Sequence, residues 1–256
     1  MHSHKLIVGV VLTALGGGAV LAAAGPSFHF PASAAQTKNA AGAEVKTFAL
    51  PPGSARIITF KSGDAAYKLD GEVQFYVLKG AVETTVDGKD VTLAEGDVAS
   101  GPTGAIKHKG AEAIVIAHKV ESAVPAPKAA VVRGADTPAG LQVQWLQDGK
   151  PQAATTEEAA KAAPKDAARF NVKRYTFDGN SIRVITFQKG GNSNPSVYQQ
   201  DNILYMSKGH MKRHVGDQVA DVKAGDVVQE QLGTTGYWEV LEESQLVSTT
   251  ALVTKK

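Results

Sequence analysis

Residues 73–80, Val-Gln-Phe-Tyr-Val-Leu-Lys-Gly, and residues 202–209, Asn-Ile-Leu-Tyr-Met-Ser-Lys-Gly, are two versions of one pattern. In each version a largely hydrophobic run that contains a tyrosine ends in a Lys-Gly pair. Short runs of aromatic and aliphatic residues that end at glycine are typical of β-strands followed by a turn. The pattern therefore predicts the same strand at two places in one chain.

Two further pairs of segments recur in the same order along the chain. Residues 56–63, Arg-Ile-Ile-Thr-Phe-Lys-Ser-Gly, match residues 183–190, Arg-Val-Ile-Thr-Phe-Gln-Lys-Gly. Residues 93–98, Leu-Ala-Glu-Gly-Asp-Val, match residues 222–227, Val-Lys-Ala-Gly-Asp-Val. Similarity that recurs in a fixed order is the signature of an internal repeat. We therefore expect a duplicated domain, with a two-residue insertion in the second copy.

Each copy is expected to be all-β. Val82, Thr84 and Val86 form one face of an alternating run, and Asp87-Gly88 after it suits a two-residue hairpin turn. Short strands separated by glycine-containing turns are typical of an antiparallel sandwich or barrel.

Composition sets the domain bounds. We place the first domain at residues 45–121 and the second at residues 169–256. Residues 122–168 form a linker rich in proline and alanine, which also holds the first strand of the second domain and a short helix near Thr156.

The formal net charge is +2 with no long run of one sign, which argues against a nucleic-acid partner. The absence of cysteine excludes disulfides and thiolate metal ligands.

The N-terminus indicates export. Lys5 precedes an uncharged apolar run over residues 6–24, and small residues follow at 32–35. This order is typical of a secretory signal peptide, which we place at residues 1–35. An uncleaved membrane anchor is the alternative, because an apolar run of this length just spans a bilayer. If the peptide is cleaved, we expect a periplasmic or secreted protein without a stable membrane anchor.

These motifs resemble the cupin superfamily. Residues 75–80, Asp87-Gly88 and residues 93–98 are similar to the stretch that joins the two cupin motifs, and Pro102 and Gly104 resemble the Pro-x-Gly of the second motif. The resemblance covers both copies, and it implies a bicupin of two tandem double-stranded β-helix, or jelly-roll, barrels. Cupins include enzymes, storage proteins and binding proteins, so the fold alone does not define a reaction.

Metal-binding cupins use a His-x-His pair, a glutamate and a further histidine. In the first copy these positions fall near Tyr67-Lys68-Leu69, on Val73 and on Lys107. In the second copy they fall near Ser196-Val197-Tyr198, on Asn202 and on Gly236. No position holds its expected ligand, so the resemblance implies a degenerate metal site and we expect no metal or other cofactor.

Glu72 and His108 each lie one residue from a ligand position. A one-residue offset sends a side chain to the other face of a strand, but a β-bulge could return both to the interior. His108 with Tyr67 and Lys68 is then the candidate catalytic set. Candidate ligand-binding residues are the aromatic side chains Tyr76, Tyr198, Tyr205, Tyr237 and Trp238.

The remaining histidines carry no chemistry in this interpretation. His118 is expected to lie on the surface. His210 and His214 are four residues apart, about 13 Å along a strand, so they cannot share one ion. We interpret them as part of a solvated strand face, with an anion-binding patch that includes Lys212 and Arg213 as the alternative.

The favoured function is an exported bicupin that binds a small molecule or is structural, and is not an enzyme. The first alternative is a metal-independent isomerase, epimerase or lyase that acts through His108 and a tyrosine. The second is a degenerate metalloenzyme that uses Glu72 and His108. Of the two copies, the first is the one in which we expect chemistry. The expected assembly is a homodimer or a pseudo-dimer of the two copies within one chain.

Overall fold

A computed structural model describes residues 28–40, 42–50, 53–61, 63–120, 128–148, 150–165, 167–177, 180–190, 192–193, 195–197 and 201–250. These residues are nearly all β, as the sequence predicted, and they form four antiparallel sheets. Among them no helix is long and apolar enough to cross a membrane. The apolar run at residues 6–24 lies outside the described residues.

The described residues of the first part of the chain contribute twelve strands and a 3-10 turn at Ala32–Ala34. The strands are His29–Phe30 (β1), Gln36–Ala40 (β2), Ala43–Leu50 (β3), Gly53–Phe60 (β4), Ala65–Lys68 (β5), Glu72–Lys79 (β6), Ala81–Val86 (β7), Lys89–Ala94 (β8), Val98–Ser100 (β9), Pro102–His108 (β10), Ala113–Val120 (β11) and Ala130–Val132 (β12).

In the second part, the residues that the structure describes contribute eleven strands and one α-helix, Glu157–Ala160 (α1). The strands are Gly140–Gln147 (β13), Lys150–Ala154 (β14), Ala168–Phe177 (β15), Asn180–Phe187 (β16), Ser196–Val197 (β17), Asn202–Lys208 (β18), His210–Val215 (β19), Gln218–Lys223 (β20), Val227–Glu230 (β21), Thr235–Val240 (β22) and Ser244–Thr250 (β23). Thr156 caps α1 by accepting a hydrogen bond from the Ala159 N–H, so a short helix forms at Thr156 as expected, between β14 and β15.

The strands build two sandwiches, which we call the first and second lobes. In the first lobe a seven-stranded sheet, β12-β9-β6-β11-β4-β3-β2, packs on a four-stranded sheet, β5-β10-β7-β8. In the second lobe an eight-stranded sheet, β1-β21-β18-β23-β16-β15-β13-β14, packs on a four-stranded sheet, β17-β22-β19-β20. Apart from the additional β14, the strand orders of the two lobes correspond one to one.

The Asp87-Gly88 hairpin forms as the sequence predicted. Both residues have positive φ, 52° and 71°, which is the conformation of a type I′ turn between antiparallel strands. The turn joins β7 to β8 in the four-stranded sheet of the first lobe.

Each lobe has its own apolar interior, and a third apolar cluster joins the lobes. The interiors lie between the large and small sheets of each sandwich. The shared cluster lies between the outer faces of the two large sheets and includes Ile57, Ile116, Ile182 and Val247. The lobes are therefore packed directly against each other through hydrophobic surface.

The strand that precedes each lobe pairs with the other lobe. β1 pairs with β21 of the second lobe, and β12 pairs with β9 of the first. Phe28, beside β1, is buried in the interior cluster of the second lobe. Residues 28–30, which lie within the signal peptide expected from the sequence, therefore pack against the second lobe, and β12, within the expected linker, pairs with the first lobe.

A buried aspartate anchors each exchanged strand. Asp226 accepts a 2.8 Å hydrogen bond from the Ala32 N–H and lies 3.0 Å from His29 Nε2. Although burial acts in the opposite direction, the hydrogen bonds from His29, Lys223 N–H and Ala32 N–H hold the Asp226 pKa below its ordinary value. This aspartate belongs to the Gly-Asp-Val turn that repeats in both copies.

In the first lobe, Asp97 anchors the segment that follows β12. It accepts hydrogen bonds from the Gly134 N–H at 2.8 Å and from Arg133 Nη1 at 2.6 Å. These bonds, with one from the Ala94 N–H, outweigh burial and hold the Asp97 pKa below its ordinary value. The Gly-Asp-Val turns therefore tie each lobe to the strand that leads into the other.

Candidate functional site

The second lobe contains an open cleft of about 710 Å³. It lies between the turn that joins β19 to β20 and the segment that joins β21 to β22. Its lining combines amide, hydroxyl and aromatic side chains, including Gln229, Gln231, Thr234 and Tyr237. A cleft of this volume with a few polar groups is typical of a small-molecule site.

Glu230 and Arg213 form a buried ion pair in the wall of this cleft. The Arg213 Nη2 lies 3.3 Å from the Glu230 Oε1, and their side chains are 0% and 6% exposed. The same carboxylate accepts hydrogen bonds from the Trp238 Nε1 at 3.3 Å and the Asn202 Nδ2 at 3.4 Å. The Arg213 guanidinium also lies 4.9 Å from the centre of the Trp238 ring. Each side chain therefore helps to hold the others in place.

Burial shifts both charged groups of this pair. It raises the pKa of the Glu230 carboxyl, against the opposing effect of Arg213 and Arg183. It lowers the pKa of the Arg213 guanidinium to about 10. The pair is thus held where water stabilises charge poorly, and each partner depends on the other.

Gly236 makes room for the Arg213 side chain. A Cβ atom at Gly236 would lie 2.7 Å from the Arg213 Nη2 and 2.4 Å from the His214 carbonyl oxygen. Gly236 is the position at which the resemblance places a metal-ligating histidine, and in this structure a guanidinium fills the adjacent space. A cation in that position opposes the binding of a metal cation.

His214 and Tyr237 form an aromatic pair on another wall of the cleft. Their rings are stacked 4.2 Å apart and 6° from parallel. The His214 Nε2 lies 3.1 Å from the Glu239 Oε2, which fixes the orientation of the imidazole. His214, which we expected on a solvated strand face, thus lines the cleft, while the His210 Nε2 lies 2.5 Å from the Asp221 Oδ1.

A smaller pocket of about 150 Å³ opens on the other side of Glu230 and Trp238. Its polar lining includes Arg174, Arg183, Gln142, Gln144 and Ser193. Arg183 donates hydrogen bonds to the Asn202 Oδ1 at 2.9 Å and the Ser248 Oγ at 3.0 Å. Trp238, a candidate ligand-binding residue from the sequence, lines the smaller pocket. Its hydrogen-bond partner Glu230 lines both cavities.

In the first lobe a β-bulge turns Glu72 inward. The pairing of β11 with β6 shifts register between His118 and Lys119, so that Val73 is left out of the ladder. The buried Glu72 carboxylate then contacts Arg56, accepts a 2.7 Å hydrogen bond from the Tyr67 hydroxyl and accepts one from the Asp70 N–H. Burial and Glu72 raise the pKa of Tyr67 above its ordinary value. Both carboxylate oxygens of Glu72 are therefore occupied by protein donors.

His108 is also buried, but it has different neighbours. Its Nδ1 lies 3.0 Å from the Ala81 carbonyl oxygen, and its ring lies 5.5 Å from that of Phe60. Tyr67 contacts Glu72 rather than His108, and Lys68 is exposed on the opposite face of β5. The structure therefore does not bring the three candidate catalytic residues together. The cavity of about 260 Å³ in this lobe is lined by none of them.

Two of the candidate ligand-binding tyrosines lie between the lobes. Tyr76 is in the shared cluster, with its ring 6.1 Å from that of Tyr175, and Tyr205 packs against the same cluster. These positions correct the expectation that Tyr76 and Tyr205 face a ligand. Tyr198 lies outside the described residues.

His118 is another correction, because it is 2% exposed rather than on the surface. Its Nδ1 lies 3.0 Å from the Thr249 Oγ1 of the second lobe. Burial lowers its pKa to about 4, so the imidazole is neutral at neutral pH.

Glu230 and Arg183 are not among the site residues proposed from the sequence, and Arg213 is named there only as part of the alternative anion-binding patch. Glu230 lies in the short buried run of β21, and Arg213 is one of several basic residues in β19. The available signal was pairing: Arg213 lies directly opposite Trp238 across β19 and β22. An arginine opposite a tryptophan on a strand predicted to be half buried indicates a cation–π contact.

Solved structures of other proteins share this fold. Protein Ylba from E. coli aligns with a TM-score of 0.61 and 11% identity, over 89% of this chain and 92% of that one. AerE from Microcystis aeruginosa aligns with a TM-score of 0.61 and 11% identity, over 88% of this chain and 99% of that one. A mutant of oxalate decarboxylase from Bacillus subtilis aligns with a TM-score of 0.61 and 12% identity, over 92% of this chain and 80% of that one.

These neighbours are cupin-fold proteins, so the fold of this chain is the cupin jelly roll. No protein-family model and no curated protein matches the sequence. At these identities the likeness defines the fold, and the activity must be argued from the site.

The donor groups of this chain do not fit a cupin metal centre. Mn(II) centres are described for the B. subtilis decarboxylase. Across the described ranges of this chain, no group of three or more His, Asp or Glu side chains is placed to hold a metal ion. Glu72 is committed to Arg56 and Tyr67, and Arg213 fills the space beside Gly236.

Proposed function

We propose that the chain is an exported bicupin that binds a small polar molecule in the cleft of its second lobe, without metal and without turnover. The observation that carries the proposal is the cleft itself, about 710 Å³, with a buried Glu230–Arg213 pair in its wall. A site rigidified by such contacts needs little reorganisation on binding.

The chemistry of the lining favours an oxygen-rich ligand with a ring or flat face. Tyr237 offers an aromatic surface backed by His214, and Gln229, Gln231 and Thr234 offer amide and hydroxyl groups. Stacking combined with such hydrogen-bonding groups suits a sugar or a hydroxylated ring. The cleft rather than the first-lobe interior is therefore the proposed site.

Duplication within one chain is part of the proposal. The repeated segments of the sequence, the corresponding strand orders of the lobes and their shared apolar cluster support a pseudo-dimer. Export is supported by the apolar N-terminal run, with cleavage placed before Phe28 because Phe28 belongs to the second-lobe interior.

A thermal-shift panel of monosaccharides and hydroxylated aromatic compounds tests the function. A ligand is expected to raise the melting temperature of the wild-type protein, because it binds only the folded state. The shift should be lost in Tyr237→Ala and kept in His108→Ala, which changes the other lobe. EDTA should leave the shift unchanged, and the ligand should be recovered chemically intact.

Two outcomes would refute the proposal. A shift that survives Tyr237→Ala but disappears in His108→Ala would move the site to the first lobe. Conversion of the ligand by the purified protein would establish an enzyme.

A further inference from the structure

Two arginines of the second lobe face each other across the sheet. Arg174 on β15 lies directly opposite Arg183 on β16, and both line the 150 Å³ pocket. Like charges directly opposite each other on antiparallel strands are destabilising. Burial lowers the pKa of Arg183; the charge of Glu230 opposes this shift, and the charge of Arg174 adds to it. The pair therefore brings two positive charges to one pocket, and their repulsion is reduced by the solvent exposure of Arg174.

In the first lobe, the charge of the arginine at the equivalent strand position is balanced by carboxylates of the same lobe. Arg56 on β4 is the counterpart of Arg183, and it lies opposite Thr47 on β3 rather than opposite another cation. Arg56 forms ion pairs with Glu72 and Asp70. The first-lobe arginine is therefore balanced by protein carboxylates.

The second lobe keeps the arginine and changes its surroundings. Asn202, a neutral amide, takes the hydrogen bond from Arg183, and Arg174 stands where the first lobe has Thr47. Among the described residues no carboxylate lies within ion-pair distance of Arg174 or Arg183; Glu230 acts on Arg183 electrostatically, but its direct ion pair is with Arg213. The pocket therefore carries more positive charge than its own acidic groups neutralise.

The remaining donors of the pocket suit a planar anion. The Arg183 Nε is buried and has no hydrogen-bond partner within the described residues. Gln142, Gln144 and Ser193 add neutral amide and hydroxyl groups. Guanidinium groups bind carboxylates in a planar, two-point geometry, so two arginines that line one pocket favour this class of ligand.

We infer that this pocket binds the carboxylate of a small organic acid between Arg174 and Arg183. The pocket volume of about 150 Å³ equals that of roughly five water molecules, so an acid of only a few carbon atoms fits. The inference rests on the proposed function, since it adds the charge of the ligand to a binding lobe.

Titration calorimetry with malonate at constant ionic strength tests the inference. The wild-type protein is expected to bind malonate, and Arg174→Gln should weaken binding at least tenfold. Arg174 is exposed at the mouth of the pocket, so this variant should keep the fold. Arg183→Gln should abolish binding, while Lys189→Gln, which removes an exposed charge elsewhere, should leave it unchanged.

Control ligands identify what is recognised. Dimethyl malonate, which has the same carbon skeleton without charge, should not bind, and inorganic phosphate should bind more weakly than malonate. Equal malonate affinity in wild type and Arg174→Gln, or tighter binding of phosphate, would overturn the inference. If sugars stabilise the protein through Tyr237 but malonate does not bind, the inference fails and the proposed function stands. If neither binds, both fail.

Discussion

His118 of the first lobe and Thr249 of the second are equivalent residues that touch each other. His118 lies opposite Ala55 and Gln74, and Thr249 lies opposite Ile182 and Ile203, the matching positions of the other large sheet. Their Nδ1 and Oγ1 atoms are 3.0 Å apart. Contact between equivalent positions is what an approximate two-fold axis produces, as in a symmetric dimer interface. The axis relating the lobes therefore passes close to this pair.

We expect the lobe interface to be sensitive to acid through His118. Its folded-state pKa of about 4 lies below the ordinary value of 6.5, so folding favours the neutral imidazole. The contribution to stability is present above pH 6.5 and is lost as the pH falls towards 4. Linkage sets the loss at about 1.4 kcal/mol per pH unit, or on the order of 3 kcal/mol in total.

Urea denaturation at pH 7, 6, 5 and 4 measures this contribution. The free energy of unfolding should fall more steeply for the wild type than for His118→Gln over this range. His214→Gln, which changes a partly exposed histidine, is the control and should follow the wild type. Parallel curves for the wild type and His118→Gln would show that His118 does not titrate in the transition.

We expect the Glu230–Arg213 pair to be strongly coupled. Removing one partner leaves a buried charge uncompensated, so Glu230→Leu or Arg213→Met alone should reduce the free energy of unfolding by about 3–5 kcal/mol. The double variant should recover much of that loss, because no charge is then left buried. A double-mutant cycle in urea measures the coupling. Additive losses would contradict a direct interaction between the two groups.

The sequence predicted the architecture because repeats and alternation are local signals. The Asp87-Gly88 turn and the matched strands could be read from single segments of a few residues. The Glu230–Arg213–Trp238 cluster could not, because its members come from three strands and become neighbours only through pairing of β19, β21 and β22 with their partners. Glu72 faces the interior because of a β-bulge at Val73. The sequence shows only that Glu72 lies one residue from the ligand position, and this spacing does not reveal whether a bulge is present.

The interface between the lobes explains why the environments of Tyr76 and His118 were predicted wrongly. Tyr76 and His118 sit on strand faces that look solvent-facing or pocket-facing when one copy is considered alone. Packing of the two large sheets buries those faces. A duplicated sequence indicates two domains, but not which of their surfaces meet.

If the protein is exported as proposed, we expect its mature N-terminus to lie before Phe28. Phe28 is 7% exposed within the second lobe, and β1 completes the edge of its large sheet. N-terminal sequencing of the protein recovered from the periplasm or medium should therefore find residues 28–35 retained. A chain that begins at residue 36 should melt at a lower temperature than one that begins at residue 28, because a buried aromatic and a strand are removed. Equal melting temperatures would contradict a structural role for this segment.

We expect Gly236→Ala to disturb the cleft although it adds one methyl group. The new Cβ would lie 2.4 Å from the His214 carbonyl oxygen and 2.7 Å from the Arg213 Nη2, so backbone and guanidinium must both move. Overpacking of this kind costs about 1–3 kcal/mol of unfolding free energy. Gly140→Ala is the matched control, because its nearest neighbour would be 3.9 Å away. Urea denaturation should separate the two variants, and ligand-induced thermal shifts at the cleft should weaken only in Gly236→Ala. If both variants behave like the wild type, the tight packing of Gly236 against Arg213 and His214 is contradicted.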